Sequence, residues 1–146
     1  MPKGTAQRGC ASFYYNMVSQ EVLNKLNVIS EKIIGSAIAV HKEFGPGLLE
    51  SVYEICMIQE MEDRGLKVTH QVDLPLYYKG RLTNKTFRID LLVEDEIIVD
   101  LKAVENVFPI HEAQLLTYMK LTNKKLGLLI NFNVPLLKQG IMRRIL

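Results

Sequence analysis

Charged side chains interrupt two of the most apolar stretches of this chain. Asp90 precedes Leu91-Leu92-Val93, and the run Ile97-Ile98-Val99 ends in Asp100-Leu101-Lys102. Because side chains alternate between the faces of a β-strand, Asp100 and Lys102 are expected on one face, within reach of one substrate group. Carboxylates that converge inside an apolar sheet repel each other and are costly to desolvate unless a cation lies between them. Oxygen ligands of this kind suit Mg²⁺ or Mn²⁺, so the sequence predicts a divalent-metal site.

The turn between the two strands decides whether Asp90 faces Asp100. If Glu94-Asp95-Glu96 forms a turn of three residues, the aspartates lie opposite each other. A shorter turn makes them diagonal neighbours, which a bulge could still bring onto one face. The structural alternative is a solvated strand end, with Asp90 paired to Arg88 or Lys102. Asp-X-Lys is a common tripeptide, and taken alone it favours that alternative.

The helices that would hold these strands follow from hydrophobic periodicity. Residues 1–16 lack a periodic pattern and are expected to form a flexible leader, followed by a single domain over residues 17–146. Apolar residues recur at helical spacing from Val18 to about Phe44, which predicts a long amphipathic helix. Gly45-Pro46-Gly47 ends it, and a second helix is predicted from Leu48 to about Arg64.

The following segments predict a mixed β-sheet. The stretches LKVTHQVDL, PLYYKG, KTFRIDLLVE and EIIVDLK are rich in β-branched and aromatic residues and indicate three or four antiparallel strands, with turns at Lys79-Gly80 and Glu94-Asp95-Glu96. A third helix is expected from Pro109 to about Thr122. The apolar run LGLLINF predicts a strand buried on both faces, and residues 139–145 a final short strand. The resulting order is α-α-β-β-β-β-α-β-β, an α/β (α+β) fold.

Composition narrows the class of protein without naming a function. The chain has 146 residues, 48% of them hydrophobic and 23% charged, as in an ordinary globular domain. A net charge of +2 is too small to indicate bulk binding to nucleic acid, so any such contact needs a local basic patch. Cys10 and Cys56 predict neither a disulfide framework nor a zinc site. No apolar run reaches the roughly 18 residues of a membrane span, and no secretory signal is seen, so a cytoplasmic protein is expected.

A wider pattern accompanies the acidic residues. The stretches GLLESVYE, FRIDLLVEDEIIVDLKAVE and HEAQLLTYMKLTNKKLGLLINF, in this order, resemble the GxxExxY protein family, a branch of the PD-(D/E)XK nuclease superfamily. The resemblance covers roughly Val28 to the C-terminus. The family motif is Gly47-Leu-Leu-Glu50-Ser-Val-Tyr53, and the superfamily motif is Asp90 with Asp100-Leu101-Lys102. Asp100 stands where the family often has glutamate. The resemblance implies a restriction-endonuclease-like core, a mixed central sheet flanked by helices.

The same resemblance implies roles for these residues. Asp90 and Asp100 would bind Mg²⁺ or Mn²⁺, and Lys102 would orient or activate water and offset charge on the scissile phosphate. Lys102 is expected to stay charged beside carboxylates, which favours positioning over general-base work. Glu50 would be a third metal or water ligand. Its structural alternative is a first-turn acid, third in the helix after a Gly47 cap, that complements the helix dipole.

Residues on two helices complete the candidate site. Tyr53 lies one turn after Glu50, where packing is the expected role. Gln114 and Tyr118, four residues apart, share a helix face and are similar to the Gln-X-X-X-Tyr motif of RecB-type and phage exonuclease members. By that similarity Gln114 joins the catalytic group and Tyr118 orients the substrate. The structural alternative is a surface glutamine beside a core tyrosine.

The leading hypothesis is therefore a metal-dependent nuclease that hydrolyses phosphodiester bonds of DNA or RNA. One alternative is a catalytically silent nuclease-fold protein that binds nucleic acid or a protein partner, and another is a structural, dimerising domain. A homodimer is a possible assembly, and no membrane partner is expected. The candidate basic contacts for a nucleic-acid backbone are Lys79, Arg81, Lys85, Lys124, Lys125, Lys138, Arg143 and Arg144.

Overall fold

Two helices open the chain. A computed structural model describes the backbone of residues 3–146 and the side chains of residues 20–146. Helix α1 spans Lys3–Phe44 and helix α2 spans Glu50–Asp63. The α1 helix therefore begins earlier than the predicted Val18. The side chains of the predicted leader, residues 1–16, lie outside the described residues, and its flexibility stays a prediction.

A five-stranded sheet follows the two helices, in the same spatial order as along the chain. Its elements are β1 (Val68–Tyr78), β2 (Arg81–Val93), β3 (Ile97–Lys102), helix α3 (Pro109–Thr122), β4 (Leu126–Asn131), a short 3-10 helix (Leu137–Gly140) and β5 (Ile141–Ile145). Strands β3 and β4 pair in parallel, and the other neighbours are antiparallel. Helix α3 is thus the crossover connection that a parallel pair needs.

The predicted α+β class and the order of helices and strands are confirmed, with one difference in strand count. The first two predicted strands, LKVTHQVDL and PLYYKG, form the single strand β1, which passes through Pro75. Proline has no N–H to donate to a ladder, but β1 is an edge strand and pairs only with β2. The turns at Lys79-Gly80 and Glu94-Asp95-Glu96 lie where the sequence predicts them.

Two apolar clusters cover the two faces of the sheet. One joins α1 and α2 to Leu91, Val99 and Leu101, and the other joins α3 to Ile98 and Leu129. Strands β3 and β4 are consequently buried on both faces, as the run LGLLINF predicts. Any charged side chain on β3 that points toward α3 is held in an apolar layer.

Glycine lets helix α3 approach β4 closely. A Cβ atom built on Gly127 would lie 2.6 Å from Met119 Sδ, so any larger residue must displace the helix or its side chains.

Neither α1 nor another helix in the described part of the chain has the combination of length and apolarity that a membrane crossing requires.

Candidate active site

The turn between β2 and β3 contains three residues, so the two aspartates lie opposite each other. Leu91 pairs with Val99, Leu92 with Ile98 and Val93 with Ile97. The next position in this register sets Asp90 against Asp100. The Leu101 N–H donates a 2.9 Å hydrogen bond to Asp90 Oδ2, so this carboxylate satisfies a backbone donor of β3 beyond the regular ladder.

The regular alternation of β2 side chains between the two faces of the sheet is interrupted at Asp90. Leu91 packs with the α1–α2 cluster, whereas Ile89 packs with the α3 cluster, although strict alternation would leave both on one side. On β1 the residue opposite Asp90 is Gln71, which has a φ of 50°. Its amide donates to Glu54 Oε1 at 2.9 Å, which ties the hairpin to α2. An irregularity of this kind is typical of strands that aim a side chain into a site.

Asp100 is buried in this apolar layer with only part of its hydrogen-bonding capacity used. It is 6% exposed, and its Oδ1 lies 3.6 Å from Lys102 Nζ. Its Oδ2 is buried and has no hydrogen-bond partner within the described residues. Burial, followed by the hydrogen bond that a protonated Asp100 carboxyl can share with Asp90, raises the pKa of Asp100 to about 7, against the opposing charge of Lys102.

These facts exclude the structural alternative of a solvated strand end. Asp100 is buried, and Arg88 pairs with Asp73 at 3.3 Å rather than with Asp90. Asp100 and Lys102 do share a face, as strand alternation predicts. A buried carboxylate oxygen without a donor is costly, so the pair demands another explanation.

Asn131 fixes the chain just after Lys102, and the sequence reasoning missed it. Asn131 lies beside Lys102 in the parallel register, and it is buried. Its Nδ2 donates to the Val104 carbonyl at 2.9 Å, and its Oδ1 accepts from the Val104 N–H at 3.1 Å. The Phe132 N–H also donates to the Lys102 carbonyl at 2.9 Å. The available signal was a polar residue that closes an apolar strand, the same signal that identified Asp100.

Glu50 is the first residue of α2, not the third as predicted, because Leu49 is the N-cap. The preceding turn needs glycine, since Gly45 and Gly47 have φ values of 66° and 106°. Tyr53 secures this turn: its hydroxyl donates to the Gly45 carbonyl at 2.5 Å and accepts from the Leu48 N–H at 3.2 Å. The spacing Gly-X-X-Glu-X-X-Tyr therefore joins a turn, an acid and the side chain that holds the turn.

Tyr53 also packs, as predicted. Its ring is buried and stacks on Phe132, with centroids 4.3 Å apart and planes inclined by 6°. Phe132 follows β4 directly, on the strand that flanks β3. The aromatic pair thus connects the turn before Glu50 with the strands that carry Asp100 and Lys102.

The charges of the four residues act on one another. Burial, then the charge of Asp90, raises the pKa of Glu50, while Lys102 lowers it. The charge of Glu50 in turn contributes to the raised pKa of Asp100. The structure therefore brings Glu50, Asp90, Asp100 and Lys102 into one site formed by α2, β2 and β3.

Helix α3 places Tyr118 at this site and Gln114 farther outward. Tyr118 is 7% exposed, and burial together with the charges of Asp100 and Asp90 raises its pKa. Its ring lies 5.7 Å from that of Phe87. Gln114 is exposed and lines a groove of about 480 Å³ with Phe87 and Tyr118. The charges of Asp100 and Asp90 thus reach Tyr118, whereas Gln114 lies in an outer groove that Tyr118 also lines and that contains none of the acidic residues.

The donor set fits a hard divalent cation. A cation beside Asp100 Oδ2 would give this unpartnered oxygen its missing interaction. It would also offset the burial, and the repulsion from Asp90 and Glu50, that raise the pKa of Asp100. Within residues 20–146, no group of three or more histidine, cysteine or acidic side chains is arranged to hold a metal ion by itself. Asp90 and Asp100 would therefore supply only part of the coordination of an ion such as Mg²⁺, which commonly keeps several waters and takes substrate oxygens.

Comparison with protein families agrees with this geometry. Residues 27–145 match the family model described as the PD-(D/E)XK nuclease superfamily. The chain belongs to the PD-(D/E)XK nuclease superfamily. The superfamily match covers every residue of the candidate site, from Glu50 to Tyr118. The narrower GxxExxY assignment is a prediction that rests on the residues quoted above. No curated protein and no solved structure gave a significant match.

Proposed function

We propose that this PD-(D/E)XK domain is a divalent-metal-dependent nuclease that hydrolyses phosphodiester bonds of DNA or RNA. The observation that carries the proposal is the buried, unpartnered Oδ2 of Asp100, opposite Asp90 and beside Lys102. A buried carboxylate oxygen without a partner destabilises the folded protein, and a bound ion beside a substrate phosphate would offset that cost.

The residues divide the work by position. Asp90 and Asp100 would hold Mg²⁺ or Mn²⁺, with Glu50 as a further acid for the ion or its water. When bound, a divalent ion supplies Lewis-acid chemistry: it acidifies water and neutralises charge on the phosphate. Lys102, 3.6 Å from Asp100, places a positive charge where the phosphate gains negative charge.

Residues outside the carboxylate group position substrate and side chains. Tyr118, whose pKa is raised by burial and by the charges of the two aspartates, would orient the substrate or Lys102 through its hydroxyl. Gln114, exposed along the same groove, would contact the nucleic acid next to the scissile phosphate. Tyr53 and Asn131 act at one remove, because they hold the turn before Glu50 and the chain after Lys102.

A cleavage assay tests the proposal directly. Purified protein is incubated with single- and double-stranded DNA and RNA in Mg²⁺, Mn²⁺ or EDTA, beside Lys102→Ala and the exposed control Lys32→Ala. We expect cleavage of at least one substrate in metal, none in EDTA, and a loss of about a hundredfold or more in Lys102→Ala alone. Cleavage that persists in EDTA or in Lys102→Ala would contradict the mechanism. No cleavage of any substrate would favour the catalytically silent protein.

A further inference from the structure

The outer part of the β1–β2 hairpin, residues 76–86, extends away from the helices, and we call it the arm. Every residue from Tyr77 to Thr86 except Thr83 is exposed. Tyr77, Tyr78 and Leu82 are more than half exposed, at 61%, 65% and 62%. A two-stranded ribbon that exposes large side chains on a small domain is expected to have a partner.

The arm is positively charged throughout. It carries Lys79, Arg81 and Lys85 and contains no acidic residue. None of the three cations belongs to an ion pair within residues 20–146. Of the other candidate basic residues, Lys124 pairs with Asp95 and Arg144 pairs with Glu112, whereas Lys125, Lys138 and Arg143 belong to no ion pair of the described residues. The arm is therefore one continuous exposed segment in which three unpaired cations stand without an acidic neighbour, as suits an anionic partner.

The backbone of the arm is preorganised. Lys79 and Gly80 have φ values of 49° and 77°, as in the tight two-residue turn that matches the twist of a hairpin. A register shift lies between Pro75 and Tyr77, and Thr83 Oγ1 closes it with a 2.8 Å hydrogen bond to the Leu76 carbonyl. The bulge re-aims the segment that carries Lys85 without loosening the ribbon.

The arm is continuous with the candidate site. Strand β2 carries both Arg81, next to the tip, and Asp90. The nine residue-to-residue steps from Arg81 to Asp90 span about 30 Å at the rise of an extended strand. That length corresponds to roughly nine nucleotide steps of a DNA strand, at about 3.4 Å each.

We propose that the arm lies in the major groove of duplex DNA on one side of the scissile phosphate, and that Lys79, Arg81 and Lys85 contact the phosphates that border the groove. This inference rests on the proposed nuclease function for the position of the phosphate. The major groove of B-DNA admits a two-stranded β-ribbon, whereas that of A-form RNA is too deep and narrow. The substrate class is therefore double-stranded DNA.

Binding measurements distinguish contacts made by the arm from general electrostatic attraction to nucleic acid. The arm variant is Lys79→Ala, Arg81→Ala and Lys85→Ala in the full chain, and the control variant is Lys32→Ala, Lys42→Ala and Lys67→Ala, which removes the same charge from exposed positions elsewhere. Fluorescence anisotropy follows binding to a 24-base-pair DNA duplex, the matching single strand and the matching RNA duplex. EDTA prevents cleavage, and thermal melting verifies that each variant stays folded.

We expect the arm variant to bind the DNA duplex about tenfold or more weakly. The slope of its log affinity against log salt should fall by about two to three, because about 0.9 counterions are released for each phosphate contact. The control variant and the other nucleic acids should change about twofold or less. Equal losses in the two variants, or an equal loss for single-stranded DNA or the RNA duplex, would overturn the proposal. Wild-type protein that does not bind the DNA duplex would also overturn it.

Cleavage in Mg²⁺, measured in parallel, keeps the two proposals apart. If the protein binds the duplex with the expected dependence on the arm but does not cleave it, the proposed nuclease activity is refuted and the proposed role of the arm is supported. If the arm variant cleaves a long duplex as fast as the wild type, at substrate concentrations below saturation, the proposed role of the arm is refuted and the nuclease activity is supported. A wild-type dimer that the arm variant dissociates would assign the arm to self-association instead.

Discussion

Asp100 exchanges its proton near neutral pH because of where it lies. Burial beside Asp90 raises the pKa of Asp100 from an ordinary value of 3.8 to about 7. The folded protein therefore holds this proton between about pH 4 and pH 7, where the unfolded chain has lost it. The contribution of Asp100 to stability is complete below that window and is lost as the pH rises through it.

Replacement of Asp100 tests this account. We expect Asp100→Asn, in EDTA at pH 8, to raise the free energy of unfolding by roughly 1–3 kcal/mol, within the upper limit of about 4 kcal/mol that a shift of three pKa units allows. At pH 5 the difference should fall to less than half, because Asp100 is then protonated in the folded state while the unfolded chain still ionises it. The difference should vanish only below about pH 4, where Asp100 is protonated in both states. Urea unfolding at both pH values measures it, with the exposed Asp63→Asn as control. A variant that is equally destabilised at both pH values would refute the account.

At the scale of elements, the start of α2 depends on a hydroxyl group. Tyr53 donates to the Gly45 carbonyl and accepts from the Leu48 N–H, while its ring stacks on Phe132. The phenol thus couples the turn before Glu50 to strand β4, which lies against β3. The hydroxyl of Tyr53 holds the turn and its ring packs on Phe132, so removal of the hydroxyl alone separates the two contributions.

Tyr53→Phe keeps the ring and removes the hydroxyl. We expect a loss of about 1–3 kcal/mol in the free energy of unfolding, because the Gly45 carbonyl loses its donor. We also expect about a tenfold fall in cleavage under conditions where the variant is fully folded, because Glu50 is less well placed. Thr69→Val, which removes an exposed hydroxyl outside the arm, should change neither quantity. Full activity in a destabilised Tyr53→Phe protein would limit Tyr53 to a structural role.

The elements themselves were largely predictable from local patterns. Two-residue alternation places Asp100 and Lys102 on one face, and Pro109 marks the start of α3. Hydrophobic periodicity does not predict the length of a turn. Only the observed β2–β3 register therefore shows that Asp90 and Asp100 lie opposite each other. Pro75 indicated a break between strands, but an edge strand tolerates it.

The supporting residues of the site were harder to predict. Asn131 is a single polar residue at the end of a buried strand, and its hydrogen bonds to Val104 join segments that are distant in sequence. The kink at Gln71 has no signature in a stretch of alternating residues, because it depends on how β1 twists against β2. Such features follow from tertiary packing, which one sequence does not report.

At the scale of the whole molecule, metal binding and folding should be linked through the same carboxylates. An ion that binds only the folded state stabilises it, and it needs Asp100 in the ionised form. We expect Mg²⁺ or Mn²⁺ at saturating concentration to raise the melting midpoint by several degrees at pH 8 and by much less at pH 5.5.

The linkage can be measured by calorimetric or fluorescence melting across a metal titration at each pH. The rise should disappear in Asp100→Asn and persist in Asp63→Asn. A midpoint that responds to metal equally at both pH values, or that still responds in Asp100→Asn, would place the ion elsewhere.

The hydrogen bond from the Leu101 N–H to Asp90 has a consequence for the comparison of relatives. Asp90 terminates the β2–β3 ladder, so a chain that has abandoned cleavage would still gain from an acid at this position. Its presence in another sequence is therefore poor evidence of an active enzyme. Asp100 is different, because its buried Oδ2 has no partner within the described residues. Replacement of Asp100 would raise the stability of an inert relative, so an inert relative is expected to lose it. Asp100, together with Lys102, is therefore the better marker of retained catalytic activity.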